Sequence, residues 1–95
     1  MTMKREEPLK EVEATCCGNR EQAHGNPHGT FERIARLWTT YLRNDGIDAV
    51  LTPADVAVMM VLFKVARLQG NPTHVDSWVD AVGYLACGCE IQTEK

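Results

Sequence analysis

Apolar residues recur at intervals of three and four along most of this chain, the spacing of one side of an α-helix. Phe31, Ile34, Ala35, Trp38, Tyr41 and Leu42 follow that spacing, and Glu32, Arg33, Arg36 and Arg43 fill positions between them. The pattern predicts an amphipathic helix with Thr30 as its N-cap, stopped by Asn44-Asp45-Gly46. A second helix is predicted from Thr52 to about Leu68. Its threonine caps, Pro53 suits the first position, and Asp55 stands three residues after the cap. This helix is apolar on nearly every side through residues 56–63, which predicts cover from sister helices or from another subunit. Val75, Val79, Val82, Ala86 and Cys89 mark a third helix. Gly83 inside it costs about 1 kcal/mol relative to alanine, a cost that a close helix crossing could offset. Gly70-Asn71-Pro72-Thr73 is short enough to turn the second and third helices back on each other. With no strand alternation and no repeat, the expected fold is an all-α bundle of three main helices.

Residues 1–29 differ in being polar, charged and broken by Gly18, Gly25, Pro27 and Gly29. They are expected to form a flexible N-terminal arm with one short helix near residues 8–15, ahead of a helical domain over 30–95. A chain of 95 residues has a modest core, so a homo-oligomer is expected. The net charge of −3, with basic and acidic residues interspersed, offers no broad positive surface for duplex nucleic acid. No stretch has the length of a membrane span or the apolar core of a signal peptide, which points to a soluble, cytoplasmic protein. Cys16-Cys17 and Cys87-Gly88-Cys89 lack the usual zinc spacings and are expected to be reduced thiols, with Cys87 or Cys89 packed as small apolar residues.

The chemistry concentrates at one end of the predicted helical hairpin. Lys64 and Arg67 stand one turn apart near the end of its first helix, and Asp76 and Asp80 one turn apart at the start of its second. Each pair suits the partial charge of its own helix end. Cross-pairing of Lys64 with Asp80 and of Arg67 with Asp76 would lock the hairpin register without any ligand. The same groups could instead bind a nucleotide or related phosphorylated small molecule, the lysine and arginine taking phosphate oxygens and Asp76 and Asp80 holding Mg²⁺. His74 adjoins the cluster, Trp78 and Tyr84 are candidates to stack a base, and Trp38 is expected in the core. His24 and His28 are expected to lie in a loop. The sequence assigns no catalytic residue. The rival is a non-enzymatic interaction or assembly protein, in which the apolar helix makes a subunit interface and the charges fix its geometry.

The succession HGNPHGTFERIARLW, TPADVAVMMVLFKVARL and HVDSWVDAVGYLACG resembles a small domain of unknown function found mostly in tailed phages and prophages. The resemblance covers residues 24–91 and implies signature positions at Gly25, Pro27, Phe31, Trp38, Asp55, Lys64, Arg67, Asp76, Asp80, Gly83 and Tyr84. The chain departs from the family pattern at His24, Asn26 and Thr30, where a tyrosine, an aspartate and an asparagine are usual. Its Lys-x-x-Arg and Asp-x-x-x-Asp-x-x-Gly-Tyr elements are also similar to those of phage domains associated with nucleotide modification. They are more distantly similar to all-α nucleoside triphosphate pyrophosphatases. The Glu-x-x-Glu helix of those enzymes is missing here, which argues against an active pyrophosphatase of that type.

Overall fold

The computed structural model describes residues 2–17 and 26–94, which form four α-helices and, among the described residues, no strand. They are α1 (Glu6–Cys17), α2 (Pro27–Asn44), α3 (Pro53–Gly70) and α4 (Val75–Thr93). The all-α bundle predicted by the periodicity is therefore observed. His24 and Gly25 lie outside the described residues.

The starts of α2 and α3 follow from a few side chains. Thr52 accepts from the Asp55 backbone N–H, and Asp55 returns the bond to the Thr52 N–H at 2.9 Å, a complete capping box ahead of Pro53. The start of α2 corrects the sequence reading. Its cap is Asn26, whose side chain accepts from the His28 N–H at 2.8 Å, and Pro27 opens the helix. Asn26-Pro27 is the same cap-and-proline signal as Thr52-Pro53, and it outcompetes Thr30 because proline's fixed φ already suits the first helical turn. His28 consequently sits in α2 and meets Glu94, beyond α4, through Nδ1 and Oε2 at 2.5 Å. At the other end of α2, Gly46 takes φ 82°, and the chain returns with Leu51 N–H donating to Thr39 Oγ1 at 2.9 Å.

The second-to-last and last helices form the expected antiparallel hairpin. Lys64 faces Asp80, and a Cβ placed on Gly88 would stand 3.0 Å from that of Ala57. Ala57 lies seven residues before Lys64 and Gly88 eight after Asp80, so the register holds to within one residue along the hairpin. Leu68 and the wholly buried Ser77 fill the space next to the loop. α4 is the hub, packing on α3, α1 and α2, while α3 also packs on α2. Phe31, Ala35, Val56 and Ala57 make the buried core, with Ile34, Trp38, Leu51, Met60, Tyr84, Cys87 and Ile91 half-buried around it. Trp38 thus joins the core as its spacing predicts.

The N-terminal helix is longer than the sequence signalled, and it lies against α4. Val12 is its buried anchor, and a Cβ on Gly83 would come within 2.7 Å of Cys16 Sγ. The glycine inside α4 accommodates the close crossing that its helix-propensity cost suggested, and the helix that crosses there is α1.

Candidate functional site

The hairpin loop brings the four predicted charges to one end of the molecule. Lys64 Nζ lies 2.9 Å from Asp80 Oδ2, with side chains only 11% and 26% exposed. This is the least exposed ion pair among those described. The other proposed pair is not formed: Arg67 places its guanidinium carbon 4.8 Å from the Phe63 ring centroid, and Lys64 Nζ is 5.4 Å from the same ring. Phe63 and Arg67 stand four residues apart on α3, the spacing at which helical side chains meet. The sequence carried that signal, and it was missed because Phe63 lay within an apolar run read only as core.

Asp76 is exposed, one turn before Asp80 on α4. His74 is exposed and its Nδ1 pairs with Ser77 Oγ at 2.8 Å, so the imidazole satisfies the buried hydroxyl of the first turn. Trp78 is 51% exposed and its Nε1–H donates to Pro72 O at 2.9 Å, which fixes the indole over the loop with one face available. Tyr84 is one turn past Asp80 but half-buried, its ring centroid 6.2 Å from that of Phe31. Its ring is engaged by the core, so the exposed aromatic side chains at this end of the hairpin are Trp78 and the Phe63 on which Arg67 lies.

The cluster therefore contains one closed ion pair, one arginine stacked on an aromatic ring, and one open carboxylate. A guanidinium so held keeps its N–H fork available for an anion. Among the described residues no three His, Cys, Asp or Glu side chains converge as a metal group would require. Asp76 and Asp80 could supply Mg²⁺ with two oxygen ligands, with water or ligand phosphate supplying the rest. Asp80 would then share its carboxylate with Lys64.

Cys16, Cys17, Cys87 and Cys89 form no disulfide with one another. Cys87 of α4 is half-buried beside Cys16 of α1, and its pKa is raised from 9.0 to about 11, chiefly by burial and next by Cys16. Cys87 thus packs as the small apolar residue expected, while Cys89 is exposed.

A family profile described only as a domain of unknown function, DUF6378, matches residues 7–92. The chain belongs to this family. It is 45% identical over 76 residues to the Gene 55 protein of Mycobacterium phage L5, a match covering 80% of this chain and 46% of that protein. It is 35% identical over 79 residues to the Gene 55 protein of Mycobacterium phage D29, covering 83% of this chain and 49% of that one. The chain spans about half the length of these curated relatives. No solved structure matches it. The family match takes in α1 as well as the hairpin, and the resemblance to a phage domain of unknown function read from the motifs is correct. Among the described residues no helix is long and apolar enough to cross a membrane.

Proposed function

We propose that this phage-type helical protein binds a nucleotide or related phosphorylated small molecule at the end of the α3–α4 hairpin. The observation that carries the reading is the unequal use of the four charges. Lys64 and Asp80 are paired and nearly covered, whereas Arg67 and Asp76 reach solvent without taking each other as partners. Closing the second, exposed pair would add at most about 1 kcal/mol, so Arg67 and Asp76 stay available to an outside ligand.

In this arrangement Arg67 takes two phosphate oxygens through its fork, and Lys64 supplies a second positive charge from beneath. Asp76, with one oxygen of Asp80, holds Mg²⁺ that arrives with the phosphates. Trp78 stacks on the base or another flat group, and His74 borders the site. No residue is assigned a catalytic role, so the proposal is one of binding.

A thermal-shift titration with ATP and with inorganic pyrophosphate, each with and without Mg²⁺, tests it. Ligand at about 100 times its dissociation constant adds about 2.7 kcal/mol, which raises Tm by on the order of 10 °C in a domain of this size. Arg67→Ala should abolish the rise while leaving the unliganded Tm close to wild type, and Asp76→Asn should abolish its magnesium dependence. Absence of any rise with phosphorylated compounds, from folded protein, would overturn the reading.

A further inference from the structure

The outward side of α3 is apolar along its length. Val58, Leu62 and Val65 recur at the spacing of a helix–helix seam and are 53%, 61% and 40% exposed, with Met59 beside them at 38%. Met59 also lines a groove of about 450 Å³ between α2 and α3, whose other walls are Trp38, Tyr41, Leu42 and Leu51. Stripe and groove are therefore one surface, continuous through Met59. Lys64 lies on the opposite side of α3, against α4, so this surface is separate from the charged end of the hairpin.

We infer that this surface binds a second copy of the same chain, α3 against α3, in an antiparallel pair. The first argument is area. Covering one aliphatic or aromatic side chain removes roughly 100 Å² of apolar surface, so the partly exposed stripe and groove together offer on the order of 400 Å². A stable interface buries about 800 Å² per partner, slightly more than half of it apolar, and the surface supplies that share. The second argument is self-complementarity. A twofold axis crossing α3 between Val61 and Leu62 sets Val58 opposite Val65 of the other copy, and the opposed helix dipoles attract. Asp55 at one end of the stripe then approaches Gln69 at the other, a carboxylate meeting a carboxamide, and no like charges face each other across the seam. The third is cover: among the described residues α3 packs on α4 and α2 alone, and no helix lies over Val58, Leu62 and Val65.

Sedimentation equilibrium of the full chain from about 1 to about 100 μM reads the association directly. A dimer is expected for the wild type. Leu62→Glu is expected to yield a monomer with the wild-type far-ultraviolet helical signal, because the carboxylates would meet across the axis. Tyr41→Lys, at the groove edge and 74% exposed, should weaken association at least tenfold and serves if the Leu62 variant fails to fold. A wild-type monomer throughout that range, or dimers unaffected by both substitutions, would overturn the inference. The first of those results would leave the stripe to a heterologous partner or to segments like those that lengthen the phage relatives. Binding of ATP or pyrophosphate by a folded Leu62→Glu monomer would show that the hairpin site and the seam stand independently.

Discussion

The Cys87 thiol is pushed well above its ordinary pKa, and the cause is packing. The thiol is raised from 9.0 to about 11 by burial first and then by Cys16 and Glu90 nearby. In the unfolded chain the same thiol releases its proton near pH 9, whereas in the folded chain it keeps it to about pH 11. The folded state therefore holds more protons between those values, and stability contributed by the neutral thiol is complete below pH 9 and lost as pH rises toward 11. Melting curves of wild type and Cys87→Ala between pH 8 and about 11 check this: the wild-type Tm should fall more steeply above pH 9, and parallel curves would contradict it. At the same scale, Lys64 and Asp80 were legible as opposed charges from their distance to the loop. Arg67 was not, because the choice between Asp76 and the Phe63 ring depends on how the hairpin end is shaped. Tyr84 shows the same limit from the other side. Its position one turn after Asp80 suggested a stacking role, but Phe31, from a helix more than 30 residues earlier in the chain, occupies it.

At the scale of elements, α1 on α4 is the contact the sequence left hidden, and Gly83 is its hinge point. Alanine at this position would gain about 1 kcal/mol of helix propensity. Its Cβ would, however, stand 2.7 Å from Cys16 Sγ, a clash relieved only by moving α1 or the thiol. Gly83→Ala should therefore lower hydrogen-exchange protection of residues 6–17 while leaving α3 and α4 protected, and net stability should fall by about 1 kcal/mol or more. Adding Cys16→Ala removes the obstructing sulfur and should restore the protection. An unchanged exchange pattern in the single variant would remove Gly83 from that role. The helices themselves were readable because caps and spacing are local: Thr52-Pro53-Ala54-Asp55 sets the start of α3 with no help from the rest of the fold. The Asn26-Pro27 signal is equally local, and Thr30, four residues on, offers a competing cap in the same stretch.

For the whole molecule, the expected consequence of pairing through α3 is a melting temperature that depends on concentration. If two copies unfold together, the wild-type Tm should rise by several degrees between about 1 and about 100 μM protein, while that of Leu62→Glu should not move. A Tm independent of concentration in both would count against the paired form. The apolar character of residues 56–63 already implied cover on more than one side. Only the arrangement of α2, α3 and α4 decided that Val56 and Ala57 are buried within the chain while Val58, Leu62 and Phe63 remain outside. The sequence by itself determined the all-α class, the hairpin and the convergence of Lys64, Arg67, Asp76 and Asp80, because helix period, caps and loop length act over a few residues. Tertiary structure alone decided which charges pair, which aromatic is presented and where α1 lies. Those outcomes depend on contacts between residues far apart in the chain, where shape and space select among partners that are equivalent in composition.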